Sequence, residues 1–203
     1  MALPPHLRPL IIAGTPDAPH TLDIFLDYVC PYSAKLALTI DSVLVPLLGP
    51  GGEYHGKVKV IYRHQVQPWH ASSTLVNEAG LAVARASPES FWPFSLRLFQ
   101  AQNGYFDTPT ANEAPEVTRG RLANLLETIL PSAKKPFLDL VALKGGNGGN
   151  AVTDDLKYTI KFSRQNGVHV SPTVLWDGLI ENKIESSFTE KDWKDFLGKR
   201  VIL

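Results

Sequence analysis

A chain of 203 residues, 44% hydrophobic and 20% charged, is long enough to bury a full core without metals or disulfides. Its 20 basic and 20 acidic residues cancel, which excludes the basic field of a nucleic-acid binder and any long charged interaction arm. A single cysteine excludes an intrachain disulfide, and with it a disulfide-stapled secreted scaffold.

The stretch from Met1 to Pro19 holds one short apolar piece, Leu10-Ile11-Ile12-Ala13, interrupted by prolines and preceded by one arginine. It lacks the apolar stretch of a signal peptide, and no run approaches the ~20 apolar residues of a membrane span. The expected location is therefore the cytoplasm. Thr21 to Val29 alternates Leu22, Ile24, Leu26 and Tyr28 with a second set that includes Asp23 and Asp27, a strand of period two. Cys30-Pro31 ends it. Pro31 suits the first helical position, and Leu36, Ile40, Val43 and Leu47 then recur at helical spacing. Pro46 and Gly49-Pro50-Gly51-Gly52 are expected to stop this helix. Lys57 to Arg63 reads as a second strand, so the first three elements form a βαβ unit with parallel strands.

From Ser72 to Gly167 the pattern turns helical. The expected helices are Ser72–Ala86, Glu89–Gln102, Pro115–Leu130, Lys135–Leu143 and Thr153–Gln165, with Gly145 to Asn150 as a flexible break. Pro172 to Trp176 is a strand, Asp177-Gly178 a hairpin turn, and Leu179 to Ile184 a weaker returning strand. Thr189-Glu190-Lys191-Asp192 resembles a capping box opening a last helix, which Gly198 is expected to end. The order β-α-β, helical block, β-β-α predicts an α/β fold: a mixed sheet covered by helices, with the block as an insertion.

The chemistry concentrates at Cys30, placed at the carboxyl end of a strand and the amino end of a helix. Reactive groups in open α/β sheets collect at such ends. Free amides and the positive end of the helix dipole stabilise a thiolate there, and can lower a cysteine pKa from about 8.5 to ~3.5–7.5.

The segment Asp23-Ile24-Phe25-Leu26-Asp27-Tyr28-Val29-Cys30-Pro31-Tyr32-Ser33 resembles the active-site segment of DsbA-like thioredoxin-fold proteins. That group includes disulfide oxidoreductases with Cys-Pro-x-Cys. It also includes kappa-class glutathione transferases and 2-hydroxychromene-2-carboxylate isomerases, which carry Ser at the position of Cys30. Gly167-Val168-His169-Val170-Ser171-Pro172-Thr173-Val174 is similar to the family's cis-proline loop, so the resemblance covers about residues 21–198. It implies a thioredoxin fold, with 1–20 as an N-terminal extension, 21–71 and 166–203 as the thioredoxin-fold domain and 72–165 as a helical insertion.

The resemblance also implies roles. Cys30 matches the nucleophile, Pro31 and Tyr32 the tuning dipeptide, and Pro172 the cis-proline packed against the sulfur. The backbone of Ser171 matches the group that pairs with an extended peptide or with glutathione. Ser33 departs from the dithiol enzymes, which carry a resolving Cys there. A hydroxyl cannot form a disulfide, so the second thiol must come from glutathione or another protein. Ser33 is instead open to donating a hydrogen bond to the thiolate.

The remaining candidates have plainer readings. Asp23 and Asp27 share a face of the first strand and read as a strand rim and a helix cap before they read as an acid–base pair. His64 and His70 flank Gln65-Val66-Gln67-Pro68-Trp69 at the sheet end expected to carry Cys30. A polar loop histidine is the ordinary reading, although His64 is placed to approach the site. No His-Glu-x-x-His or Cys-x-x-Cys spacing exists, so no metal is expected. Gly145 to Gly149 lacks a following Lys-Ser or Lys-Thr and is not a phosphate loop. Trp69, Phe91, Trp92, Phe94 and Phe99 read as core, with Ser90 to Phe99 also able to line an apolar pocket over the site.

Three functions follow. The first is a monothiol thiol–disulfide oxidoreductase using glutathione as co-substrate. The second is a kappa-type glutathione transferase or isomerase, and the third a thioredoxin-fold binding module with an unreactive cysteine. No bound cofactor is expected. The partners are glutathione or protein thiols and disulfides, with a second copy in a homodimer left open.

Overall fold

The computed structural model describes residues 3–201. The most apolar alternating segment becomes the central strand. Strands β1 (Ile11–Ala13), β2 (His20–Leu26), β3 (Val58–His64), β4 (Thr173–Trp176) and β5 (Leu179–Ile180) form one sheet in the order β1-β3-β2-β4-β5. β2 runs parallel to β3, as the helical crossover between them allows, and antiparallel to β4. Both faces of β2 are covered. Leu22, Ile24 and Leu26 enter the main core, whereas Phe25 packs with Val168, Leu175 and Phe162 on the other face. Asp23 shares that second face. Its carboxylate pairs at 2.7 Å with Arg63, whose guanidinium lies 4.3 Å from the Phe162 ring centroid.

The crossover helix is continuous from Pro31 to Leu48 but changes winding. α1 (Pro31–Thr39) passes through a π-turn at Ile40–Leu44 into α2 (Val45–Leu48), with the Val45 amide donating to the Ile40 carbonyl. Pro46, expected to stop the helix, sits inside its last stretch. Proline has no N–H to give, and a local widening accommodates what a regular α-helix would reject.

The helical block comprises α3 (Ser73–Ala86), α4 (Phe91–Gln100), a short α5 (Asp107–Thr110), α6 (Pro115–Glu127), α7 (Lys134–Val141) and α8 (Thr153–Gln165). The last helix, α9, runs Glu190–Arg200. Its capping box is formed as expected, Thr189 with the Asp192 amide and carboxylate, but the helix passes through Gly198. Asp177 and Gly178 both take positive φ, +48° and +88°, the pattern of a tight hairpin turn. The returning strand is shorter than expected: only Leu179–Ile180 are strand, followed by one more bond from the Glu181 amide to the Val174 carbonyl.

Residues 1–20 do not behave as an appendage where they are described. Leu7 and Leu10 are fully buried in the main core, and β1 pairs antiparallel with β3. Three residues are enough for an edge strand but too few for a readable alternation. No helix among the described residues is long and apolar enough to cross a membrane.

Candidate active site

β2 ends at Leu26, and a four-residue turn brings Cys30 to the N-cap of α1, its amide bonded to the Asp27 carbonyl at 3.0 Å. Pro31 follows at the first helical position, where a missing N–H costs nothing. The turn is held from below by Asp27. One carboxylate oxygen accepts from the Val29 amide (3.3 Å) and Asn77 Nδ2 (3.2 Å). The other accepts from the Gln67 amide (3.1 Å) and Ser73 Oγ (2.7 Å). Burial pushes the Asp27 carboxyl above its ordinary value, and these four donors pull part of the way back. From above, Gln102 Nε2 donates to the carbonyls of Tyr28 (2.9 Å) and Cys30 (3.3 Å). The helical block thus grips both sides of the turn.

The Cys30 side chain is nearly enclosed: the residue is 5% exposed. Its Sγ donates to the Ser171 carbonyl at 3.3 Å, and the Ser171–Pro172 peptide bond is cis. The sulfur is thus not open to solvent. Its hydrogen-bond partner is polar backbone arriving from 141 residues away. The donor in this bond is S–H. The same residue is the N-cap of α1.

Around the sulfur the surface is open. Tyr32 is 66% and Val170 56% exposed. A groove of about 250 Å³ lies on one side, lined by Val29, Pro31, His70, Phe106 and Asp107. A second, of about 350 Å³, lies on the other, lined by Tyr32, Val170, Pro172, Thr173 and Glu185 among others. Cys30, Pro31, Tyr32, Ser171 and Pro172 therefore stand together. Ser33 does not join them. Its side chain is fully buried, its Oγ accepts from the Asp27 amide at 3.2 Å, and it makes no hydrogen bond to Sγ among the described residues. Its place is in the foundation of the turn.

His70 is the polar loop histidine expected, whereas His64, at the end of β3, is neither a loop residue nor at the site. His70 lines the groove beside Pro31 and bonds Asp107 at 2.9 Å. His64 is wholly buried among Tyr28, Tyr62 and Phe91, with Nδ1 on Asn77 Oδ1 at 3.0 Å. Burial lowers its pKa to about 4, so it is neutral at pH 7. Phe91, Phe94 and Phe99 are core, and Phe99 packs on Tyr28, so the helix carrying them supports the site from within rather than lining a pocket over it. Trp69, read as core, is 57% exposed. Ser73, Asn77 and Gln102 were not visible as site residues. Each works through a partner at least 46 residues away, and no local spacing encodes such a pairing. Among the described residues no group of three or more His, Cys, Asp or Glu is placed to hold a metal.

A cysteine at the carboxyl end of the central strand, capping a helix and facing a cis-proline loop, defines the thioredoxin class of site. The chain belongs to the thioredoxin family: the family model described as Thioredoxin matches residues 8–199. It carries a single cysteine in a DsbA-like fold. It is 26% identical to a candidate protein-disulfide isomerase from Pseudomonas syringae, with 95% of this chain and 99% of that one covered and a TM-score of 0.74. Its fold is similar to oxidised BdbD from Bacillus subtilis, at 19% identity, 96% and 94% coverage and a TM-score of 0.64. It is also similar to MdbA, a thiol-disulfide oxidoreductase from Corynebacterium matruchotii, at 20% identity, 88% and 84% coverage and a TM-score of 0.60. No curated protein sequence matches the chain. The fold is that of thiol–disulfide oxidoreductases.

Proposed function

We propose that this protein is a monothiol thiol–disulfide oxidoreductase in which Cys30 is the nucleophile and glutathione the external resolving thiol. The Cys30 thiolate attacks one sulfur of a substrate disulfide, forming a mixed disulfide and releasing the other substrate sulfur as a thiolate, which takes up a proton. A glutathione thiolate then attacks the substrate sulfur of the mixed disulfide, returns Cys30 as thiolate and leaves the substrate as a glutathione mixed disulfide. Each step makes one S–S bond and breaks one.

The observation that carries this reading is the contact of Cys30 Sγ with the Ser171 carbonyl beside cis-Pro172, between two open grooves. The exposed Tyr32 and Val170 beside it offer apolar contact to an extended polypeptide or to glutathione. The buried hydroxyl of Ser33 stands where a resolving sulfur would have to be, which is why the second thiol is external. Dependence on an outside thiol suits a reducing compartment, and a cytoplasmic location is part of the proposal.

The test is a peptide–glutathione mixed disulfide offered to the reduced protein. Mass spectrometry is expected to find an adduct at Cys30, and added glutathione to restore the free thiol with turnover; Cys30→Ser is expected to abolish both. Absence of an adduct on the folded protein, while the denatured chain reacts, would reduce the molecule to a binding module. Conjugation of glutathione to an aromatic electrophile without any disulfide exchange would make it a transferase.

A further inference from the structure

A third groove, of about 490 Å³, extends from the Cys30 side of the molecule between the loop after β3 and the end of α8. His70 lines both this groove and the smaller one beside Val29 and Pro31, so the two adjoin at that residue; the smaller one also carries Asp107, which His70 bonds at 2.9 Å. Its apolar wall is Trp69 and Val168. Of its polar groups, His70 is held by Asp107 and Ser163 donates to the Thr159 carbonyl. Arg164 and His169 make no side-chain hydrogen bond or ion pair among the described residues, and no acidic side chain lines the groove. Gln65 is 7% exposed, and its buried Oε1 has no partner.

The opposite flank of the sulfur has the reverse character. The groove lined by Tyr32 and Pro172 carries Glu181 and Glu185 and no cation. Arg200 holds Glu181 at 2.6 Å, which leaves Glu185 as the acid without an ion pair. The face that surrounds Cys30 is therefore electrically polar, positive over Trp69 and Arg164 and negative beyond Tyr32.

We propose that this face selects polypeptide substrates carrying a carboxylate side chain on the flank of the target sulfur that lies over Trp69, Arg164 and His169. The occupant is an extended acidic peptide. Its carboxylate meets the Arg164 guanidinium, and an apolar side chain lies against Trp69. Glu185 repels the same carboxylate from the other flank, which fixes the direction in which the peptide lies. This specificity deepens the exchange reading and rests on it for its biological meaning, but binding is measurable apart from exchange.

The experiment uses short synthetic peptides in which serine replaces the target cysteine, so that nothing reacts. One series carries two aspartates on one flank, a second two lysines there, and each is also made with the flanks exchanged. Calorimetry on the reduced full-length protein reads affinity. For one of the two orientations, the aspartate peptide is expected to bind about tenfold more tightly than its lysine counterpart at low salt, a difference that shrinks as salt screens it. Arg164→Glu is expected to reverse the preference and Arg164→Gln to erase it, with both variants retaining the melting behaviour of the parent. Equal affinity for aspartate and lysine peptides would overturn the proposal, as would a preference that Arg164→Glu leaves unchanged. Selective binding without exchange at Cys30 would sink the oxidoreductase reading alone. Exchange without flank selectivity would sink this inference alone.

Discussion

Asp27 carries a buried carboxyl with four donors and no ion-pair partner among the described residues, and this fixes both its role and its cost. All four contacts are donated to it. In Asp27→Asn one amide NH₂ must face a pair of donors, so the variant is expected to lose about 1–3 kcal/mol of stability at neutral pH, measured by urea denaturation. The raised pKa has a definite sign. The folded state holds the Asp27 proton more tightly than the unfolded chain, so this group's contribution declines as pH rises from the ordinary carboxylate range through the raised native value. That slope is expected to vanish in Asp27→Asn. His64 acts in the opposite direction. Its native pKa is about 4 against an unfolded value of 6.5, so the unfolded chain binds the extra proton in between. Its contribution is fully present above 6.5 and is lost as pH falls through about 4. The loss amounts to roughly 3 kcal/mol by the usual conversion of a pKa difference. In His64→Gln the fall in stability over that interval is expected to be markedly shallower; an unchanged acid limb would show that other groups govern it.

The start of α1 decides which sulfur chemistry the element can perform. Residues 30 and 33 lie one helical turn apart, Cys30 at the cap and Ser33 turned into the foundation. Ser33→Cys is expected to place a second sulfur near Cys30 and release a trapped mixed disulfide without added thiol, shortening its lifetime at least about tenfold because the attack becomes intramolecular. Single-turnover mass spectrometry reads this directly, and an equally long-lived adduct would mean that the buried position is out of reach. Much of this element, and of the fold, was legible in the sequence. The alternation of Leu22, Ile24 and Leu26, the Pro31 helix start, the Asp177-Gly178 turn and the Thr189 capping box each rest on contacts within a few residues. What escaped was decided elsewhere. β1 has three residues and exists because β3 offers it an edge. Pro46 remains helical because the preceding π-turn absorbs the defect. The enclosure of Cys30 depends on Ser171, and the accessory hold on its turn on Ser73, Asn77 and Gln102, contacts that only the tertiary fold creates.

At the scale of the whole molecule, the helical block is bound into the same core as the sheet. Leu22, Ile24 and Leu26 of β2 share one continuous cluster with Val76 and Leu81 of α3, Phe94 and Leu98 of α4, and Phe137 of α7. Gln102, Asn77 and Ser73 add polar ties from the block to the Cys30 turn. Such sharing predicts a single cooperative unfolding transition, with near-ultraviolet and far-ultraviolet circular dichroism coinciding. Gly80 of α3 is a point of close approach between the two parts. A Cβ there would stand 2.5 Å from His64 Cε1 and 2.6 Å from Tyr28 Oη, far inside contact distance. Both neighbours are fully buried, and Tyr28 is further held by its 2.7 Å hydrogen bond to Ser95, so neither can swing aside. Gly80→Ala, a change that would add stability in an exposed helix, is instead expected to destabilise by about 1–3 kcal/mol through overpacking. Because Tyr28 lies two residues before Cys30, the same variant is expected to speed alkylation of the enclosed thiol. If the block were an independently folded unit, Gly80→Ala would split the transition in two and leave the reactivity of Cys30 unchanged; a coupled core moves both spectral signals together and exposes the sulfur as it loosens.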